Sequence, residues 1–564
     1  MSKRLSSAVF LITILFMVVF LAVPIFSTVS QAFVTPEGTF TLANVFEVFL
    51  NPIYREGLVN AFLIAVASLL ACLAIALPLA VIHDRFEFPA KRLLSSLVLV
   101  PMILPPFVGA IGVKQILGTH GALNALLANF GLMDELAPYD WLGSSRFLGV
   151  VLMNALHLYP ILYLNIVAAL ANLDPAMEEA AQNLGSNWWS RFRRITLPLT
   201  LPGIFAGGTV VFIWAFTELG VPLIFDYTRV TPVQIFDGIK DINDNPFPFA
   251  LVVVMLVLSS LFFVVGRFKF GRATALGNAR ITRASSAQRL PLGPGLACTA
   301  LFAGTTAIAV IPHIGVGLLS IAGDWYQSVL PQSFTLAHYD AALSNDLVVP
   351  SIKNSLRYAS AATLIDIVLG IAIAYIVVRT NIKGRHLLDT LAMLPLAVPG
   401  LVLAFGYLAM TREGAFFSFL RYDGDPTLIL IIAYATRRLP YVVRSAAAGF
   451  QQTSVELEEA ARSLGVSPSR ALRKITLPLI TANLIAGALL AFSFAMLEVS
   501  DSLILAQQAE HYPITMAIYQ LFGVLGNGHY LASALGVWSM LFLTITIAGA
   551  SIILGRRIGA LFRV

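Results

Sequence analysis

Runs of about 20 apolar residues alternate along this chain with short polar connections. Twelve such runs can be read, at about 8–27, 58–82, 93–113, 147–170, 200–225, 248–266, 294–321, 354–378, 388–410, 427–450, 478–505 and 532–555. About 20 residues is the length an α-helix needs to cross a hydrocarbon core of about 30 Å. Inside lipid the backbone must satisfy its own hydrogen bonds, so runs of this kind predict helices. The pattern predicts an all-α membrane protein with about twelve transmembrane helices. The first run follows Lys3 and Arg4 and has some features of a secretory signal ending near Ala32. It is longer than the usual 7–15 apolar residues of a signal, and the run at 294–321 matches it in the second half, so a retained helix is expected.

Composition agrees with the pattern. Of the 564 residues 58% are hydrophobic and 12% charged, against about 25% charged in ordinary globular domains, which excludes a soluble fold. Both cysteines, Cys72 and Cys298, fall within apolar runs and read as small buried side chains rather than a disulfide framework. The net charge of +6 comes from basic residues dispersed among the connections, so no nucleic-acid partner is expected. With the N-terminus inside, the segments 1–7, 83–92, 171–196, 267–293, 379–387, 451–476 and 556–564 hold 24 of the 36 Lys and Arg. Nine lie on the opposite side and three, Arg437, Arg438 and Arg444, within a span. Short loops obey the positive-inside bias, so both termini are expected in the cytoplasm of a multi-pass cell (inner) membrane protein.

The chain repeats itself. Residues 178–204 and 458–484 are identical at 12 of 27 positions without a gap. The same offset of 280 pairs Pro160 with Pro440, Phe212 with Phe492 and Glu218 with Glu498; upstream, an offset of 294 pairs Asn60 with Asn354, Pro101 with Pro395 and Pro105 with Pro399. The first copy therefore carries about 14 extra residues, placed in the outside stretch 114–146. These offsets define a first repeat at 1–269, a linker at 270–292 rich in Arg, Ser, Ala and Gly, and a second repeat at 293–564. With six spans in each, the repeats share one orientation, related by a pseudo-twofold along the membrane normal.

In each repeated loop an Ala-Ala pair flanked by acids favours a short helix, a glycine permits the left-handed turn that ends it, and a proline restarts a helix at the membrane surface. Acids early in a helix and basic residues near the membrane also suit the helix dipole and the inside bias without any partner. That does not account for identities concentrating here while most span positions have diverged. Glu-Ala-Ala, three residues, Gly, nine residues, Ile-x-Leu-Pro resembles the signature loop of the membrane subunits of binding-protein-dependent ABC importers. Glu179, Ala180, Ala181, Gly185, Ile195, Leu197 and Pro198 match it, and so do Glu459, Ala460, Ala461, Gly465, Ile475, Leu477 and Pro478. The resemblance implies a type I importer permease whose loops are coupling helices docked on two copies of a separate ATPase, with substrate delivered by an extracytoplasmic binding protein. Two halves in one polypeptide look most like the ferric-iron permeases. Thiamine permeases share the fusion, and polyamine and phosphonate remain alternatives. The phrase Leu497-Glu498-Val499-Ser500-Asp501-Ser502 departs from the usual ferric wording, which leaves the substrate open.

No enzyme is expected in this chain. No Gly-x-x-x-x-Gly-Lys-Ser/Thr occurs, nor any Gly-Lys pair, so ATP and Mg²⁺ are expected on the partner ATPase and no cofactor here. No catalytic site and no metal site is read, and the eight histidines are scattered. A secondary transporter also has two parallel six-helix halves, and Asp84-Arg85 with Lys91-Arg92 faintly suggests its loop signature; the glycines of that signature are missing, and 380–385 do not restore them. A membrane scaffold borrowing the docking loop is the other competing reading.

Ionisable residues at span depth are costly and face a bundle interior or an aqueous path. His157, Glu218, Asp366, Arg437, Arg438, Glu498 and Asp501 form this set, with Glu218 equivalent to Glu498 and His157 to Arg437. They are candidates either for the lining of the translocation path or for pairs that hold helices together.

Overall fold

The computed structural model describes residues 3–554 apart from positions 36, 103, 135, 144, 145, 242–244, 271–287, 413 and 421–423. Most of the expected linker therefore lies outside the described residues. Among those described, nine helices are long and apolar enough to cross a membrane: Leu5–Ala32, Pro52–Arg85, Phe147–Ala171, Trp188–Ile224, Phe247–Val265, Leu292–Ile321, Val348–Arg379, Pro468–Met496 and Gly528–Thr546.

The expected third and ninth spans are not straight helices. Lys91–Met102 and Pro106–Asn129 meet at 93°, and Arg385–Leu396 and Gly400–Met410 at 103°. Prolines cause both breaks, because they lack an N–H and force an extended residue into the chain. Pro105 and Pro399, paired in the repeat, have ψ of 135° and 137° just before the helix resumes. Counting each bent pair as one span gives eleven. The remaining expected span is a continuous helix, Thr427–Gln452, long enough to cross but carrying Arg437, Arg438 and Arg444.

The chain packs as two units, and their composition does not follow repeat order. One gathers the described residues of Met1–Arg55, Pro232–Leu256 and Leu336–Leu561; the other gathers Glu56–Thr231 and Val257–Thr335. Each unit thus contains the first-span helix of the opposite repeat. In the first unit, a Cβ on Gly406 would stand 2.5 Å from the Pro24 carbonyl oxygen, and the Tyr407 hydroxyl donates to the Phe20 carbonyl at 2.7 Å. In the second, a Cβ on Gly112 would stand 2.6 Å from the Pro312 carbonyl oxygen and 2.7 Å from the Val316 nitrogen. Gly112 and Gly406 differ by the repeat offset of 294. A glycine at each place lets two backbones touch, the close approach that small residues permit between membrane helices.

Repeated polar clasps hold other elements. Asn60 donates to the Arg229 carbonyl at 2.8 Å, and Asn354 to the Glu510 carbonyl at 2.8 Å and the Tyr512 carbonyl at 3.2 Å. Fully buried tyrosines find partners as well: Tyr159 donates to the Val98 carbonyl at 3.1 Å, and the Tyr434 and Ser502 hydroxyls lie 2.6 Å apart. A buried hydroxyl left without one would lose its desolvation cost uncompensated.

Candidate functional site

The two repeated loops fold alike. Asp174 caps the first helix by accepting from the Ala176 N–H at 2.9 Å, and Pro175 opens Pro175–Asn183. Gly185 ends it at φ +81°, with its N–H on the Gln182 carbonyl at 2.9 Å and the Ser186 N–H on Ala181 at 3.0 Å. This is a Schellman turn. Asn187 then caps Trp188–Arg191, a π-helical turn spans Phe192–Thr196, and the membrane helix Leu197–Phe216 follows with Pro198 in its first turn. In the second loop the order recurs as Glu456–Ser463, Gly465 at φ +82°, Pro468–Ala471, a π turn Leu472–Thr476 and Leu477–Met496. Gly465 and Val466 make the same two backbone bonds, to Arg462 at 3.0 Å and Ala461 at 3.1 Å.

Each loop is tied to the end of an earlier membrane helix. Glu178 receives Arg85, the last residue of Pro52–Arg85, at 2.6 Å and also the Thr196 hydroxyl; Arg85 reaches Thr196 at 2.9 Å. In the second copy, Glu458 pairs with Arg379, the last residue of Val348–Arg379, at 3.3 Å and accepts from Thr476 at 2.9 Å. Arg379 further donates to the Thr453 carbonyl at 2.6 Å. Charge-assisted bonds of this kind, removed from bulk water, fix orientation better than exposed pairs do.

The matched glutamates do the opposite. Glu179 and Glu459 are exposed, as are Ala180, Ala460, Gly185, Gly465, Pro198 and Pro478. Ala181, Ile195, Ile475, Leu197 and Leu477 are half-buried, and Ala461 is buried. At the tip of each loop Leu184 is 87% and Leu464 85% exposed, an apolar side chain at the same turn in both copies. Sequence reasoning picked out the matched residues, of which only some face outward, and missed the set of Arg85, Glu178, Thr196, Arg379, Glu458 and Thr476, together with the leucines. The signal was present: the glutamates, threonines and leucines are identities of the repeat, and Arg85 and Arg379 stand at its other offset.

The span-depth charges gather unevenly. Arg437 lies 3.2 Å from Glu498 and 3.7 Å from Asp501, and Arg438 pairs with Glu498. Glu498 and Asp501 are buried, and Tyr434 and Ser502 close the same region, with Ser502 donating to the Glu498 carbonyl. Asp366 is 1% exposed, within electrostatic range of Arg438, and neither carboxylate oxygen has a hydrogen bond among the described residues. Gly400 completes the pocket, since a Cβ there would overlap the Arg437 guanidinium. The counterparts in the first repeat make different contacts. Glu218 accepts the Gly220 and Val221 N–H groups at 3.1 and 3.2 Å, while the His157 Nδ1 sits 3.0 Å from the Pro101 carbonyl and its ring meets Trp214 edge-on.

Residues 75–270 and 366–559, most of the chain and each containing one complete loop with its arginine anchor, match the family of binding-protein-dependent transport system inner membrane components. The chain belongs to that family. This permease is 29% identical over 476 residues to a putative ferric transport system permease protein of Haemophilus influenzae, covering 82% of this chain and 70% of the relative. To the ferric transport system permease protein of Actinobacillus pleuropneumoniae it is 27% identical over 479 residues, 81% of this chain and 64% of the relative. A spermidine/putrescine transport system permease protein of Haemophilus influenzae is 28% identical, but over only 47% of this chain, which takes in 92% of that protein.

Proposed function

We propose that this ABC importer permease conducts ferric iron, received from an extracytoplasmic binding protein, and that ATP hydrolysis on a separate ATPase opens and closes its path. The observation that carries the coupling part is the pair of like-folded loops. Each presents an exposed face bearing Glu179 or Glu459 and Leu184 or Leu464, and each is bound from behind to a membrane helix end through Arg85 or Arg379. A helix gripped in this way can pass a push on its outer face to the span behind it. Two loops on one chain call for two ATPase copies, one per loop, holding ATP and Mg²⁺ outside this polypeptide.

Support for iron comes from the span of the likenesses. The relatives whose names carry a ferric substrate align across both halves, whereas the spermidine/putrescine relative aligns with about one half. The buried cluster of Arg437, Arg438, Glu498, Asp501 and Asp366, with His157 and Glu218 in the other repeat, has first a structural role, because its ion pairs join Thr427–Gln452 to the segment after Leu477–Met496. With 24 basic residues on the loop side, both termini and both loops face the cytoplasm.

Reconstitution tests this reading. Permease, ATPase and binding protein in proteoliposomes should accumulate radioactive iron with ATP, unaffected by excess thiamine, spermidine or phosphonate. Uptake of one of those competitors in place of iron would replace the substrate, and uptake without ATPase would remove the coupling. In a protein lacking Cys72 and Cys298, cysteine at Ser469 should react with a membrane-impermeant maleimide only from the cytoplasmic side and cysteine at Thr39 only from outside; the reverse pattern would invert the topology.

A further inference from the structure

The two loops differ in one feature that lies beside their shared face. In the first, Trp188, Trp189 and Phe192 form a single aromatic stack: Trp188 and Phe192 lie 5.6 Å apart at 5°, Trp189 and Phe192 5.7 Å apart at 29°. The indoles are 47% and 59% exposed. Arg193 and Arg194, in the next turn, are also exposed. At the equivalent places the second loop has Pro468, Ser469 and Leu472.

We propose that this aromatic and basic surface is an interfacial anchor that takes anionic phospholipid headgroups, so that one of the two loops is held to the membrane as well as to its ATPase. Position comes first. Leu197–Phe216 has 20 residues, enough for the roughly 30 Å hydrocarbon core, so the helix that runs on from Trp188 projects past the core at headgroup level. Composition is the second, since tryptophans with an apolar body and a polar N–H settle at that level and adjacent arginines meet the phosphates. The third is asymmetry. Like ATPase subunits docking on two loops use what the loops share, Leu184 with Leu464 and Glu179 with Glu459, and the aromatic trio is not shared. This step rests on the reading of the loops as ATPase seats, so quenching is measured first with permease alone and then with ATPase added.

Full-length permease is placed in phosphatidylglycerol vesicles containing lipid brominated near the headgroup, and quenching of tryptophan emission is compared with that of W188F/W189F. Those two of the six tryptophans lose their emission in the variant while the stack keeps its aromatic rings. We expect the unmodified protein to lose more emission than the variant. The excess should fall in phosphatidylcholine vesicles and in R193Q/R194Q, each neutralised arginine weakening the preference for anionic lipid about fivefold. Equal quenching of the two proteins overturns the anchor, as does an excess that is the same in neutral vesicles. An excess abolished by adding ATPase overturns it as well, assigning the trio to the protein partner, and leaves the coupling function standing.

Discussion

Arg85 and Glu178 meet at 2.6 Å, and the same pair recurs in the other repeat as Arg379 and Glu458 at 3.3 Å. Side chains in these pairs are 7–27% exposed, so they are shielded far more than ordinary surface ion pairs and hold real orientation. Because the inward glutamate is ion-paired within the permease and the outward one is exposed, their loss should have different consequences. E178A and R85A should leave ATPase co-purification intact but reduce transport-linked ATP hydrolysis, and the reversed pair R85E/E178R should recover part of it. E179K should instead lower the amount of ATPase that co-purifies. Identical behaviour of E178A and E179K in both measurements would remove the distinction between grip and docking face.

The same contrast explains what the sequence made legible. Most of the spans, the repeat offset and the loop were readable because each is a local pattern: a 20-residue apolar run, two sets of identities at fixed offsets, a spaced motif. The bends at Pro105 and Pro399 had a signal in the paired prolines, but helix length alone hid them. The placement of Leu5–Ala32 with the second repeat had none, since it depends on Gly406 finding Pro24 across nearly 400 residues. Arg85 was marked by its recurrence as Arg379 at the offset of 294, but nothing in the spacing along the chain names Glu178 as its partner. Gly400 was passed over because the side chain that needs its space, Arg437, comes from another helix.

At Gly185 and Gly465 nothing lies within 4 Å of an added Cβ, so a substitution there meets no clash and acts only through the positive φ of +81° and +82°. An L-residue held in that region costs about 1–2 kcal/mol, which the turn relieves by unwinding and rotating the preceding helix. G185V or G465V should lower ATPase binding without lowering folded yield, and G185V/G465V should do so more than either alone. Asparagine, which tolerates the left-handed region, should be milder than valine at both sites. Binding by a tagged ATPase, normalised to monodisperse permease, reads the outcome. Equal losses for asparagine and valine would count against a conformational cause.

Gly112 and Gly406 call for a different result. There an added side chain would meet backbone, the Pro312 carbonyl in one unit and the Pro24 carbonyl in the other, and backbone cannot swing aside. Overpacking of this kind typically costs about 1–3 kcal/mol. G112V and G406V should each lower the thermal midpoint of detergent-solubilised permease and the yield of monodisperse protein. G304A, on the same helix as Pro312 but with nothing within 4 Å of its Cβ, is the control and should change neither. A G406V protein as stable as the unmodified one would mean that Leu5–Ala32 does not pack where it is described.

Glu498 is 3% exposed, and two guanidinium groups converge on it from successive residues of one helix. Removing one member of a buried ion pair strands the other in low dielectric, which is commonly a loss of about 3–5 kcal/mol, whereas replacing a whole pair by apolar groups is far milder. E498Q should therefore reduce folded yield sharply, and R438M/E498L should recover much of it. With two arginines present, R438M alone should be less harmful than E498Q, because Arg437 still faces both Glu498 and Asp501. Gly400 supplies an independent approach, since its missing Cβ is the space the Arg437 guanidinium occupies. G400A should displace that group and mimic R437M without altering any charge. If G400A leaves yield and transport unchanged while R437M does not, the guanidinium acts elsewhere than in the position described, and a role along the substrate path gains weight over the structural one.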